Sequence, residues 1–141
     1  MGIPFQSQKA LEFSADNFII DPMQHLTDLY MAGENEQMQE DAIRIVNDPM
    51  YRFFDFEGEF NDLGYNLLNS GQIETAMAVF SFITQLFPDS ANAWDSLAES
   101  HWKAGQVDKA KALYEKAISM DPDGMVGDNA RKMLKKIKEK D

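Results

Sequence analysis

The chain has 141 residues, 44% of them hydrophobic, no Cys and a formal net charge of −11, which leaves room for one domain with a packed core and excludes disulfides and thiolate metal sites. The charge has the wrong sign for a sequence-independent grip on DNA or RNA, which needs Lys and Arg to displace counterions from phosphates. No run approaches the ~18 consecutive apolar residues of a membrane span, and the start "MGIPFQSQKALEF" lacks the basic and apolar regions of a secretory signal.

Gln6 stands where a myristoylation signal wants Ser or Thr. The expectation is a cytoplasmic chain with no membrane attachment, the periplasm staying open if it belongs to a larger exported protein.

Residues 1–20 are ambiguous: "QKALEF" suits a helix, and "NFII" suits an extended segment or one packed on the next helix. Residues 21–56 read as a degenerate helical hairpin. Asp21-Pro22 starts its first helix, with Asp at the N-cap and Pro at the first helical position. That helix is expected to reach about Ala32, with Leu26, Leu29 and Tyr30 on one face, and Gly33 ends it. A second helix, from about Glu34 to Asn47, carries Met38, Ala42, Ile45 and Val46 and stops at Asp48-Pro49. The link "MYRFFDFEGEF" brings four Phe and one Tyr within eleven residues. It reads as a hydrophobic plug between this hairpin and the next rather than as a ligand cage.

Residues 57–90 and 91–124 then repeat at a spacing of 34. Phe60 pairs with Trp94, Leu63 with Leu97, Gly64 with Ala98, Gly71 with Gly105, Ala76 with Ala110, Phe80 with Tyr114, Ile83 with Ala117 and Pro88 with Pro122. The small residues let two helices approach closely. Gly71 and Gly105 supply the left-handed conformation at a helix end, and Pro88 and Pro122 cannot continue the second helix of each pair. The bulky pairs fill the space between hairpins. Residues 125–141 read as an amphipathic capping helix with Met133, Leu134 and Ile137 on its apolar side. Its run "RKMLKKIKEK" gathers six cations that suit a solvated face and a helix C-terminus. A docking patch for something acidic is the alternative.

The pattern W-x2-L-G, then Gly, A-x3-F and Pro, carried twice over residues 57–124, resembles the tetratricopeptide repeat. Leu67 and His101 depart from it, standing where that family often has Tyr. The resemblance implies an all-α fold, a right-handed superhelix of antiparallel helical hairpins. The stretch "LGYNLLNSGQIETAMAVF…FPDSANAWDSLAE" is also loosely similar to the helical-repeat tails of bacterial serine hydrolases of the penicillin-binding and esterase types.

Signals for catalysis are thin. Ser100-His-Trp-Lys103 is a literal S-x-x-K, but S-D-N and K-T-G companions are missing and the match falls inside a helix. His25 and His101 belong to neither H-E-x-x-H nor G-x-S-x-G and are expected to be packing residues. Asp121, Asp123 and Asp128 lack the alternating ligands and closing Glu of an EF-hand and suit turn and cap chemistry. No enzyme activity, metal or cofactor is expected.

Function is therefore expected on a surface. In the tetratricopeptide family the first helices of successive hairpins line a groove for a peptide. By position, the resemblance nominates Asn61, Asp62, Tyr65, Leu68 and Asn69 in the first repeat. In the second it nominates Asn92, Asp95, Ser96, Glu99, Trp102 and Lys103. The Asn side chains could satisfy a peptide backbone, with Tyr65 and Trp102 as anchors. Lys103 stands nearly alone among Asp62, Asp95 and Glu99, so the family's cationic clamp for a C-terminal carboxylate is not reproduced. The expected partner is a protein or peptide, neutral or basic, with an apolar anchor. The competing readings are a merely solvated helix face, or a groove filled by the chain's own N-terminal segment. Two other roles stay open. One is an accessory tail of a serine hydrolase whose catalytic domain lies upstream, which the start at "GIPFQSQ", the degenerate hairpin and the C-terminal cap would fit. The other is a homo-oligomer formed through exposed stack ends.

Overall fold

The computed structural model describes Ile19 and residues 21–140. The expectations for residues 1–18 and 20, a groove filled by the N-terminal segment among them, lie outside the described residues. The described chain is all-α, with seven α-helices and one 3-10 turn. It divides into two compact units, residues 1–52 and 53–141.

The first unit holds α1 (Pro22–Met31), α2 (Asn35–Val46) and the 3-10 turn Pro49–Tyr51. The Asp21 carboxylate accepts the Gln24 N–H and Pro22 occupies the first turn, as the sequence predicts. Leu26 of α1 and Ala42 and Ile45 of α2 are buried. Tyr30 departs from the face expected for it and is 40% exposed. It lies in the last turn of α1, where the hairpin brings up the polar start of α2, Asn35 and Glu36. His25 Nε2 and Asp41 Oδ2, 2.7 Å apart, tie α1 to α2. The Tyr51 hydroxyl donates to the Ile19 carbonyl and accepts its N–H, at 3.1 and 2.7 Å.

The second unit contains α3 (Phe56–Asn69), α4 (Ile73–Leu86), α5 (Ala91–Lys103), α6 (Val107–Met120) and α7 (Met125–Lys140). Each helix packs on its neighbour in sequence, and the first helices of the hairpins also touch, α3 against α5 and α5 against α7. Both inner turns are built alike. Gly71 and Gly105 have φ of +86° and +82°. After them, Gln72 and Gln106 donate backward to the Leu67 and His101 carbonyls, at 2.9 Å each, while the glycine N–H groups reach Leu68 and Trp102. That double closure satisfies carbonyls a helix end leaves open, and only Gly enters it without a Cβ penalty. The same pattern recurs at Gly33 in the first unit, φ +78°, with Glu34 donating to Leu29.

The first helices start on side-chain caps, Asp55 accepting from Gly58 N–H and Ser90 from Ala93 N–H. Asp121 serves α7 in a related way, accepting from the Val126 and Gly127 N–H groups. Thus the Asp121, Asp123 and Asp128 run sits at a turn and a helix start. Asp128 itself accepts from Arg131 at 3.2 Å.

Gly64 is buried where α3 meets α4. A Cβ built on it would lie 2.5 Å from the Phe80 ring, so the small residue of the repeat is demanded by a close approach. Phe60, Ala76, Phe80 and Ile83 are buried here, and a second cluster joins Ala98, Ala110, Tyr114, Ala117, Ala130 and Ile137. Met133 and Leu134 pack against that second cluster, so α7 closes the stack with an apolar inner face and a polar outer one. The aromatics of the run 50–60 differ in exposure. Tyr51, Phe56 and Phe60 are buried, but Phe53 is 90% exposed and Phe54 36% exposed. The turn preceding α3 carries both of these, and the Phe54 ring lies against that of Phe56, centroids 4.5 Å apart.

Candidate peptide-binding face

The side-by-side first helices α3, α5 and α7 form the candidate site. On α3, Asp62 and Asn69 are exposed, Asn61 and Tyr65 are half-buried, and Leu68 is buried. On α5, Asn92 and Lys103 are exposed, Glu99 and Trp102 are half-buried, and Asp95 and Ser96 are buried. Leu68, Asp95 and Ser96 are thus covered by their own fold. The remaining eight reach solvent in full or in part.

Helical periodicity places these side chains on the seam between neighbouring helices, and the seam is polar. The Ser96 hydroxyl sits at its centre, accepting from the Tyr65 hydroxyl at 3.2 Å and donating to Asn61 Oδ1 at 3.0 Å. One step along, Asn129 Nδ2 on α7 donates to both oxygens of Asp95, at 3.2 and 3.1 Å. Each bond crosses from one first helix to the next. Among the described residues no buried side-chain N or O lacks a partner, so the seam is fully satisfied.

The electrostatics follow from burial. Asp95 is pushed up to about 6, first by its removal from water and then by the charge of Glu99 one turn away, with the Asn129 amide working the other way. Tyr65 is raised far above the usual phenol range, first by burial and then by the nearby negative charges of Glu99 and Asp95, with Ser96 working the other way. Tyr114 behind them is raised by burial and by the same two carboxylates. Both hydroxyls therefore remain protonated throughout the physiological range. Lys103 is the first Lys or Arg after Arg52, so α3, α4 and nearly all of α5 carry acids and no cation except Lys103 itself.

The aromatics expected as anchors have structural duties. Tyr65 packs edge-on against Phe80, ring centroids 5.0 Å apart. Trp102 packs on the cluster shared with α7, and Lys140 Nζ lies 5.4 Å from its ring centroid. Trp94 donates its indole N–H to the Pro88 carbonyl at 2.9 Å, and Lys116 Nζ lies 4.8 Å from its ring.

The arrangement offers no nucleophile at the S-x-x-K match. Ser100 is fully buried and its hydroxyl donates to the Leu97 carbonyl at 2.7 Å. His101 Nδ1 contacts Gln106 Oε1 at 2.6 Å, and His25 pairs with Asp41. Both histidines thus act as polar ties within hairpins rather than as the packing residues expected. Among the described residues, no group of three His, Cys, Asp or Glu is placed to hold a metal ion, and no helix is long and apolar enough to cross a membrane.

Asn129 is the residue that motif reading missed. Its signal was the repeat period itself, because Asn61, Asp95 and Asn129 are spaced by 34. A reading of α7 as a cap, centred on its lysines, hid that the helix also occupies the place of a further first helix.

Residues 67–136 match the family model described as tetratricopeptide repeat. No curated protein matches the chain significantly. Repeats of this family generally mediate protein–protein interaction and are typically non-catalytic. With that match lying across the all-helical hairpins of the second unit, residues 67–136 are tetratricopeptide repeats and the chain is a tetratricopeptide repeat protein over that stretch.

Proposed function

We propose that the chain is a non-catalytic interaction module whose α3–α5 face binds a segment of a partner protein, neutral or basic, with one apolar anchor. The observation that carries this reading is the charge of the face. Asp62 and Glu99 line it, with Asp95 buried beneath, and Lys103 at its edge is the single Lys or Arg of α3 and α5. The buried Asp95 carboxyl, held up to about 6 first by burial and then by the charge of Glu99, adds to the negative field that an incoming Lys or Arg at Glu99 and Asp62 would meet. The half-buried Trp102 supplies an apolar wall beside it. Asn92 and Asn69 are exposed, with amide groups suited to a peptide backbone.

The test is selection from a random peptide library displayed on phage, followed by titration of the enriched peptides against the whole chain. Enrichment of Lys or Arg next to an aromatic or aliphatic residue, with binding weakened at least about tenfold by Glu99→Gln plus Asp62→Asn, supports the reading; a charge-assisted contact of 1.4 kcal/mol corresponds to that factor. Enrichment of acidic peptides, or binding indifferent to both substitutions, would overturn it. Tyr65→Ala is unsuited as a control, because it also removes the packing on Phe80 and the hydrogen bond to Ser96.

A further inference from the structure

Charge is segregated along the chain. Between Arg52 and Lys103 there is no Lys or Arg, while ten of the thirteen cations fall at or after Lys103. Six of these lie on α7: Arg131, Lys132, Lys135, Lys136, Lys138 and Lys140, all exposed. Between Asn129 and Lys140 the only acid is Glu139. Arg131 is engaged with Asp128 and the Pro122 carbonyl, and Lys140 lies over Trp102. Lys132, Lys135, Lys136 and Lys138 have no side-chain partner among the described residues.

The helix dipole does not account for them. Its pull on cations falls off within the last turn, which leaves Lys132, Lys135 and Lys136 outside its reach. Side by side at helical spacing, they repel one another. At the other end of the same unit, α3 exposes Glu59 and Asp62 on one stripe, three residues apart, in a segment with no cation. Opposite ends of one stack thus carry opposite charge, and the two faces are complementary.

We propose that the chain associates head to tail with a second copy of itself, the lysine face of α7 in one copy meeting the Glu59–Asp62 face of α3 in the next. Such a contact is heterologous, so each copy keeps one free face of either sign and the association extends beyond a dimer unless it closes into a ring. Being formed by exposed charges, it is weakened by salt. The inference stands apart from the peptide reading: Asp62 is the one residue common to both, and the basic face shares none.

The experiment is sedimentation velocity of the whole chain across concentration and salt. A weight-average mass above the 16.0 kDa monomer is expected at low salt, falling toward it by about 0.5 M salt, where the screening length is only a few ångströms. Neutralising the basic face (Lys132→Gln, Lys135→Gln, Lys136→Gln) gives a monomer, and so does neutralising the acidic face (Glu59→Gln, Asp62→Asn). Mixed together, the two variants rebuild a single interface and stop at a dimer, which no general loss of folding or solubility can produce. A monomer under all conditions overturns the proposal. So does association that resists salt or survives the lysine substitutions, which would point to an apolar contact such as one through Phe53. Binding of acidic peptides to α7 without self-association would assign the lysine face to a different partner and overturn it too.

Discussion

Asn129 on α7 holds both carboxylate oxygens of Asp95 on α5 with one amide group, and this is the only side-chain hydrogen bond from α7 to α5 among the described residues. The pair sits 34 residues apart, one full repeat. Removing the amide leaves a buried carboxylate without its donor. Asn129→Ala is expected to lower stability at neutral pH by about 2 kcal/mol, the scale of a hydrogen bond to a charged group. Chemical denaturation followed by tryptophan fluorescence measures this in the right unit, since Trp94 and Trp102 both lie there.

The same carboxylate sets a pH dependence. Asp95 titrates near 3.8 when the chain is unfolded and at about 6 when folded, so between those values the folded state holds a proton that the unfolded state has lost. Its stabilising contribution is complete below about 4 and disappears as pH rises through about 6. Asp95→Asn should therefore gain stability relative to the native chain as pH goes from 4.5 to 7. Parallel denaturation curves across that interval would refute the assignment.

Gly64 and Phe80 form a matched pair across α3 and α4. Because an added Cβ would meet the ring at 2.5 Å, Gly64→Ala is expected to cost about 1–3 kcal/mol despite the better helix propensity of Ala. Phe80→Leu clears the space at its own cost. The double variant should then be more stable than the sum of the two losses allows, and a double-mutant cycle reads that coupling directly.

The repeat makes this packing legible in the sequence. Positions that recur at 34 residues are those where the stack imposes the same demand twice: Gly71 and Gly105 at left-handed turns, Gly64 and Ala98 at close approaches, Phe80 and Tyr114 in the core. Surface consequences were harder to read. The resemblance nominated Ser96 and Asp95 as groove residues by position, yet both are buried, because the seam between first helices closes over them through Asn61, Tyr65 and Asn129. Which polar side chains turn to each other and which to water depends on the neighbouring helix, and no periodicity within one helix encodes that. Phe53 and Phe54 show the same limit, as aromatics adjacent in sequence to the buried Tyr51 and Phe56 are themselves exposed.

In the first unit, His25 and Asp41 carry the link between α1 and α2. Burial raises the Asp41 carboxyl, but the hydrogen bonds from His25 and Gln37 and the charges of His25 and Arg44 outweigh it, and the group ends below its ordinary 3.8. A depressed carboxyl contributes stability above its unfolded value and loses it as pH falls through the folded one. The α1–α2 hairpin should hence loosen at acid pH below about 4, opposite in sense to the Asp95 effect in the second unit. Asp41→Asn should reproduce that loosening at neutral pH by about 0.5–1 kcal/mol, the scale of a partly exposed ion pair. Amide exchange within α1 and α2, corrected for intrinsic rates, separates it from events elsewhere.

Ser96 is the most instructive single atom to remove, because its hydroxyl is used twice. It accepts from Tyr65 and donates to Asn61, joining α3 to α5 at the centre of the candidate binding face. Ser96→Ala leaves the Tyr65 hydroxyl and the Asn61 carbonyl each short of a partner, at an expected cost of about 1–3 kcal/mol. Ser96→Thr keeps the hydroxyl but adds a methyl where exposure is only 1%, so it should cost stability while preserving the bonds. The two variants therefore separate packing from polarity. If the face binds a peptide with Asn61 and Tyr65 in fixed positions, the Ala variant should lose affinity for a library-selected peptide by more than its fall in stability explains at a temperature where both variants are folded. The Thr variant should bind like the native chain. Equal binding by all three would mean that the hydroxyl holds the helices together and does not set the geometry of recognition.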